Sequence, residues 1–479
     1  MLAQVKPFHI FNSLSRSVEE VHPIAPPRVS LYACGPTVYL PQHLGNLRTY
    51  LNWDFLRRSL ELAGFKVQHV MNVTDVGHLT SDQDAGEDKI EKTARAEGIE
   101  PIDVANKYLA QFKRDCSALN IEPPHVWCRA TEHIADMIAL IERIIAAGYA
   151  YVAPSGVYFD VEKWRGPGGA GGLSRQRLEE QLAGQRLAHS ADKRSPHDFA
   201  LWVLNQPNHL MQWQSGWGRG YPGWHIECSA MSMRYLGETI DIHTGGLDHI
   251  PVHHENEIEQ SESATGKPFV RYFVHSAFLV GKGGTKISKS AGSFPLLDEL
   301  APAGFDPLTF RLFCLGAKYR SELMFNDEGL HAAQQNLEYF REFARNSADE
   351  ALNGGDDSAW AAEFRAEFEA ALCNDLNTPQ ALAAALKLVA ESYRRKDQQV
   401  WGALRAFDSV LALDLEQTAL GSRKAGFPPE AASLIAARTA ARKSREFKRA
   451  DELRSQLEAL GYEVKDNRDG TATYQRRPS

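Results

Sequence analysis

Two cysteines, a histidine and a glutamate in this chain could together hold a metal ion. His253 and Glu257 stand four apart in Val252-His253-His254-Glu255-Asn256-Glu257, so on a helix they share one face. Cys228 precedes His253 by 25 residues, and Cys34 supplies a fourth possible ligand from far upstream. A set of two thiols, an imidazole and a carboxylate suits tetrahedral zinc. His225, His243, His249 and His254 are rival ligands that spacing does not exclude. Each cysteine alone reads equally as a small core residue. A second chemistry is carried by Lys286-Ile287-Ser288-Lys289-Ser290, preceded by Gly283-Gly284. Two lysines among small serines suit a clamp on pyrophosphate, although alone the run reads as a solvated basic loop. In Gly245-Gly246-Leu247-Asp248 the glycines permit close backbone approach, and the aspartate can accept from ribose hydroxyls.

These groups need a scaffold, and the apolar pattern supplies one. Val29 to Cys34 reads as a strand. From Leu44 the residues Leu47, Leu51, Phe55 and Leu62 recur near the helical period, and Gly64 follows as a stop. Phe65 to Val73 reads as the next strand, with Asn72-Val73-Thr74-Asp75 at its carboxyl edge. This is a βαβ unit whose first turn, His43-Leu44-Gly45-Asn46, lies at a helix N-terminus, where free N–H groups meet phosphates. Ile134 to Ala147 reads as a helix, and Arg165 to Gly172 as a turn inside an insertion. Ser195 to Ser232 reads as the returning second half of the nucleotide fold. Gly421 to Glu430 reads as a linker, followed by a helix striped at Ala450, Leu453, Leu457 and Leu460, and a hairpin turning at Asp469-Gly470.

At 479 residues the chain exceeds one ordinary core, so several domains are expected. An apolar fraction of 43% and a charged fraction of 24% fit a globular protein. No run of about 18 apolar residues occurs, nor an apolar signal core near Met1, which predicts a cytoplasmic protein without membrane contact. Six scattered cysteines with no Cys-x-x-Cys pair predict reduced thiols. A net charge of −8 is not that of a nucleic-acid binder, yet Leu434 to Ser479 holds eleven Lys and Arg against seven Asp and Glu. A basic tail on an acidic body is a possible RNA contact, though charge alone favours a solvated helix face.

Taken together, a strand, a His-x-Gly turn into a helix and a distant Lys-x-Ser-Lys-Ser loop resemble the ATP site of class I aminoacyl-tRNA synthetases. With Cys34 in front, the chain resembles the cysteinyl-tRNA synthetases nearly end to end. The resemblance implies an α/β fold: a Rossmann-like catalytic domain over 1–325 with a connective insertion at about 120–195 and an active-site loop at 283–293. A helical bundle over 326–425 and a small anticodon-binding domain over 426–479 would follow. His43-Leu44-Gly45-Asn46 departs from His-Ile-Gly-His at two positions, and Lys286-Ile287-Ser288-Lys289-Ser290 departs from Lys-Met-Ser-Lys-Ser at one. By resemblance His43, Asn46, Lys286 and Lys289 are catalytic, and Gly45, Gly245, Gly246, Asp248 and Ser288 join them in holding ATP. Cys34, Cys228, His253 and Glu257 would hold one zinc per subunit, which takes the substrate thiolate. Cys34, Gly35, Thr37, Thr74, Trp224 and His243 would form the cysteine pocket. The implied partners are L-cysteine, ATP with Mg²⁺, and tRNA(Cys), and the implied state is a monomer.

The match extends through Phe305-Asp306-Pro307, Asn374-Asp375-Leu376-Asn377-Thr378-Pro379 and the basic helix from Ala441 to Glu452, which is similar to the family's tRNA-binding region. Two rival readings share part of this pattern. One is a related enzyme joining cysteine to a sugar amine, which lacks such a tail. The other is a non-catalytic paralogue binding only RNA or zinc, against which the intact His43, Gly45, Lys286 and Lys289 speak.

Overall fold

The computed structural model describes residues 5–76, 88–166, 169–177, 192–207, 209–281, 295–348, 357–424, 429–444, 446–466 and 472–476. Five parallel strands form its central sheet: β1 (Arg28–Ala33), β2 (Lys66–Val73), β3 (Val126–Arg129), β4 (Ile240–Gly246) and β5 (Val270–Ser276). Their order is β5-β4-β1-β2-β3. Leu31 pairs with His69 of β2 on one side and with Ile242 of β4 on the other. The chain therefore winds outward in opposite directions from the β1–β4 pair, which opens a crevice at the carboxyl ends of those two strands. Val29, Leu31, Tyr32, Ile240, Ile242, Phe273 and Val274 are all buried, as befits parallel strands covered on both faces.

Helix α1 (Leu44–Leu62) follows β1 as its period predicts. Its stop is Gly64, which adopts φ 98°, a conformation that glycine takes without strain. Its N-cap is the His43 side chain, whose Nδ1 accepts from the Asn46 N–H at 3.2 Å. The helix is buried along most of its length, including Arg48, Asn52 and Asp54.

Between β3 and β4 lies a second, antiparallel sheet built from Ala150–Ala153, Gly156–Phe159, Phe199–Leu204, Gly218–Pro222 and Trp213–Ser215. This corrects the expected limits of the insertion. Residues 126–129 belong to the central sheet, and residues 199–222, read as the returning half of the nucleotide fold, complete the inserted sheet instead. Phe199-Ala200-Leu201-Trp202-Val203-Leu204 is an unbroken apolar run, and such a run fits a buried strand in either kind of sheet. Pairing with Val157 and Tyr221 decides the matter, and neither partner is adjacent in sequence. The return begins at α2 (Trp224–Leu236), and α3 (Glu255–Thr265) follows β4.

Two compact units divide the chain: residues 1–340 with 356–413, and residues 341–355 with 414–479. The first contains the helices Ala361–Cys373, Thr378–Arg395 and Trp401–Leu411 besides the nucleotide-binding fold. Arg311, fully buried in the helix Pro307–Leu315, ties them together. Its Nη2 meets Asp54 of α1 at 2.7 Å and the Val410 carbonyl at 2.9 Å. Nε donates to the Leu411 carbonyl at 2.5 Å, and Nη1 to the Leu119 carbonyl at 3.0 Å. A buried guanidinium is stable only when so satisfied.

In the second unit the helices Leu415–Lys424 and Pro429–Lys443 extend into the expected linker from both sides, leaving only 425–428 outside the described residues. Pro429 opens its helix, where its missing N–H has no cost. The helix Phe447–Ala459 buries Ala450 and Leu457, and Leu457 packs with Tyr462, Val464, Leu434 and Ile435. Leu460 of the expected stripe is exposed. Tyr462–Asp466 pairs antiparallel with Ala472–Arg476, and the turn at Asp469-Gly470 lies outside the described residues.

Arg311→Met is expected to destabilise the first unit by about 3–5 kcal/mol, because it leaves Asp54 and several buried carbonyls short of a donor. Urea denaturation monitored by tryptophan fluorescence checks this, and an unchanged midpoint would contradict the role of Arg311.

Candidate active site and metal centre

At the end of β1 the backbone crosses close over β2. A Cβ on Gly35 would overlap the Asn72 carbonyl oxygen, so only glycine fits. The Gly35 N–H donates to Asn72 Oδ1 at 2.7 Å, and Asn72 Nδ2 donates to Thr74 Oγ1 at 3.0 Å. Thr74 in turn donates to Glu227 Oε2 at 3.3 Å. On the other side the Cys34 N–H bonds the Thr244 carbonyl of β4 at 3.1 Å. Cys34 is thus held by backbone on both flanks, with its thiol turned into the core.

There the thiol meets residues from α2 and the start of α3. The ligand atoms of Cys34, His253, His254 and Glu257 lie within 4.8 Å of one another, and all four residues are buried. Cys34 Sγ is 3.3 Å from His254 Nε2 and shares a hydrogen bond with Cys228. Glu257 Oε2 meets His243 Nε2 at 2.8 Å, while Oε1 lies 3.0 Å from His253 Nε2 without hydrogen-bond geometry. His253 and His254 are consecutive in a π-helical turn, Ile250–His254, that leads into α3. Such turns recur at functional sites because they change the facing of side chains. Each ring is buttressed from behind. His253 Nδ1 meets His225 Nδ1 at 3.0 Å and stacks on Trp224, with centroids 4.3 Å apart. His254 Nδ1 meets His275 Nε2 at 2.8 Å. Paired rings of this kind fix the direction of a ligating nitrogen.

The electrostatics are those of a cation site. Burial opposes ionisation of Cys34, but the Cys228 bond and the neighbouring His254, His249 and His253 hold its thiol well below the usual range. Cys228, as the donor, is pushed well above its range by that bond, by burial and by the charges of Cys34 and Glu257. Burial also opposes the Glu257 carboxylate, yet His243 and His253 hold it at about 2. His253 rises against burial to about 10 because of Glu257 and Cys34. Burial and the nearby His243 lower His254 to about 4. Two buried lone-pair sites, Glu257 Oε1 and His249 Nδ1, make no hydrogen bond. A thiophilic cation would satisfy such a set and displace protons from His253 and Cys228, so the residues present fit a metal.

Cys34 and His249 also line a cleft of about 250 Å³ at the β1–β4 crevice. Gly35, Thr37, His43 and Asn46 form one wall, and Gly245, Gly246 and Asp248 the other. A Cβ on Gly245 would stand 2.6 Å from His249 Nδ1 and from His254 Cε1, so this glycine keeps the two rings in place. Pro295 lies beside the residue that opens α1, and its carbonyl accepts from the Leu44 N–H at 3.1 Å. The cleft borders the N-terminus of α1, where free N–H groups suit a phosphate.

Comparison with known proteins bears on this arrangement. Residues 20–335 match the family described as tRNA synthetases class I (C) catalytic domain, and residues 424–474 match the cysteinyl-tRNA ligase anticodon binding domain. The cysteine–tRNA ligase of Chlorobaculum tepidum is 42% identical over 98% of this chain and 99% of its own. Cysteine–tRNA ligase 1 of Burkholderia lata is 43% identical over 97% of this chain and 96% of its own.

The chain belongs to the cysteine–tRNA ligase family.

Solved structures agree on the fold alone. The methionyl-tRNA synthetase of Mycobacterium tuberculosis with methionyl-adenylate superposes with a TM-score of 0.57 at 15% identity, covering 86% of this chain and 94% of that one. No helix among the described residues is long and apolar enough to cross a membrane.

For a cysteine–tRNA ligase, the structure brings together most of the residues singled out in the sequence. Cys34, His253 and Glu257 meet in one cluster whose fourth member is His254, one of the rival ligands, whereas Cys228 is not a member of that set and bonds Cys34 beside it. Cys34, Gly35, Thr37, His43, Asn46, Gly245, Gly246 and Asp248 share the cleft, whereas Thr74, Trp224 and His243 do not line it. His243 is fully buried against Glu257, and Thr74 is bonded to Glu227. Lys286, Ser288 and Lys289 lie outside the described residues. Tyr39, Thr49, Tyr50 and Glu227 were missed. Thr49 sits one turn beyond Gly45-Asn46 on α1, a signal that helical spacing contained. Burial and the charge of Asp75 push Glu227 well above the carboxylate range, and no linear pattern reveals that.

Gly245→Ala is expected to displace His249 and His254 and lower cysteine-dependent pyrophosphate exchange about a hundredfold, the order of loss for a misplacement of about 1 Å. Exchange kinetics beside a thermal melt check this. Wild-type exchange in the variant would show that the contact is not limiting.

Proposed function

We propose that the cleft activates L-cysteine with ATP and that the thiol cluster selects it. The observation that supports this is the position of Cys34, which belongs to the buried metal-ligand cluster and also opens onto the cleft. In the first step the cysteine carboxylate attacks the α-phosphate in line, the bond to pyrophosphate breaks, and cysteinyl-adenylate forms. His43 receives the Asn46 N–H at Nδ1, which leaves its own proton on Nε2 to donate to phosphate oxygens. Asn46, Lys286, Lys289 and accompanying Mg²⁺ share the developing negative charge, and Ser288 supports the clamp, so the work is positioning and electrostatics. Gly45, Gly245 and Gly246 let the nucleotide approach backbone, and Asp248 accepts from the ribose. In the second step a ribose hydroxyl at the 3′ end of tRNA(Cys) attacks the acyl carbon and AMP leaves.

The selecting set is Cys34, Cys228, His253 and Glu257 holding one zinc per subunit, with His254 beside them. Zinc bound there would supply a soft Lewis acid for the substrate sulfur, which serine cannot match with a hydroxyl. Gly35, Thr37, Thr74, Trp224 and His243 shape or support the amino-acid pocket. Residues 1–325 carry the catalysis, 326–425 the helical support and 426–479 the anticodon contact, in a cytoplasmic enzyme acting as a monomer.

The test is attachment of labelled cysteine to bulk tRNA, with serine as control. Charging with cysteine alone is the expected result. Pyrophosphate exchange without charging would move the acceptor to a small amine. Neither activity in metal-replete protein would end the reading. Cys228→Ser is expected to lower bound zinc and cysteine-dependent exchange together by at least about tenfold, the smaller loss seen when a mere supporting residue of a metal is removed. A variant with full metal content and full exchange would exclude Cys228 as a ligand.

A further inference from the structure

A second group of ligating side chains lies apart from the thiol cluster. Asp88 is the N-cap of the helix Lys89–Glu97, Glu91 sits in that helix's first turn, and His209 comes from the loop that precedes Trp213–Ser215 of the inserted sheet. All three are buried, and their ligand atoms lie within 4.8 Å of one another. His209 Nε2 faces Asp88 Oδ2 at 3.1 Å, and His209 Nδ1 faces Glu91 Oε1 at 2.8 Å. Other bonds are already fixed. Asp88 Oδ1 accepts the Glu91 N–H at 2.9 Å, and Glu91 Oε1 accepts the Leu210 N–H at 2.6 Å. The remaining pair is not satisfied, because neither Asp88 Oδ2 nor His209 Nε2 makes a hydrogen bond, although Asp88 is only 4% and His209 only 8% exposed.

The charges do not balance either. Two carboxylates face one imidazole, so the cluster stays negative even if His209 is protonated. The nearest cationic residue in sequence, Lys89, turns its ammonium towards the Tyr39 ring at 5.8 Å. A helix N-terminus offsets part of one charge, but a buried group of this sign favours a cation. One imidazole and two carboxylates suit a first-row divalent metal.

We propose that Asp88, Glu91 and His209 form a second metal site, for zinc or a similar first-row divalent cation, that fastens the helix Lys89–Glu97 to the inserted sheet. The site contains no thiol, which separates it spectroscopically from the Cys34 cluster. Tyr221 of the inserted sheet packs against the His209 ring, with centroids 4.0 Å apart and planes inclined by 35°, and so backs it as it faces the two carboxylates.

The full-length protein, stripped of metal and titrated with Co²⁺, tests this. A second equivalent should bind with only weak visible bands and no thiolate-to-cobalt charge transfer. His209→Gln and Asp88→Asn should each remove one equivalent of metal per chain, in Co²⁺ titration and in zinc content after desalting. Cys228→Ser should leave that equivalent in place. His209→Gln should keep cysteine-dependent pyrophosphate exchange within about twofold of wild type, since His209 does not line the cleft. Equal metal content in wild type, His209→Gln and Asp88→Asn would overturn the proposal, as would a wild-type titration in which every bound cobalt shows thiolate charge transfer. The wild-type titration decides the question even if the variants fold poorly.

Discussion

A wholly buried carboxylate governs the architecture of this active site. Glu257 is fully buried, and an unpaired charge so placed would cost several kcal/mol. Its neighbours answer that constraint: His243 at 2.8 Å and His253 at 3.0 Å, with Cys34 and His254 beyond them. Those rings are aimed in turn by His225, His275 and Trp224. Much of the interior between β4, α2 and α3 is thus polar, and it is stable because each member supports the next. The same low-dielectric setting opposes ionisation of the Cys34 thiol as well, and only the Cys228 bond and the facing imidazoles reverse that tendency.

The nucleotide half was legible in sequence because its signals are local. The helical period from Leu44, the stop at Gly64 and the strand ending at Val73 each depend on near neighbours, and each element begins or ends within a residue or so of its expected limits. His43 was legible as a chemical residue but not as a helix cap, a position that serine or aspartate usually fills. The candidate metal centre was half legible. Spacing by four put His253 and Glu257 on one face, but that argument assumes a regular α-helix. The π-helical turn at Ile250–His254 breaks the assumption and brings the next residue, His254, into the same cluster.

What stayed hidden is what depends on partners distant in sequence. The run from Phe199 to Leu204 carries no mark of which sheet it joins, because burial on both faces erases the alternation that distinguishes antiparallel strands. Glu227, beside Cys228, carries no mark in the linear pattern, and the approach of Thr74 and Asp75 gives it its surroundings. Gly35 entered only as a pocket residue, by resemblance. Its constraint is a carbonyl from β2, which no local pattern could supply.

The contact between Cys34 and His254 also has a bearing on how the protein is made. The two residues are 220 positions apart, and the backbone beside Cys34 is held by a strand that the ribosome makes only after the whole inserted sheet. Closing so long a loop adds little to the equilibrium cost, since each doubling of length adds only about 0.6 kcal/mol. In time, however, the order is strict. At about 5–20 residues per second, Cys34 emerges many seconds before β4 and α3 exist to enclose it. During translation the inserted sheet, whose pairings are shorter in range, can form first, and the buried cluster around Cys34 and Glu257 is assembled late.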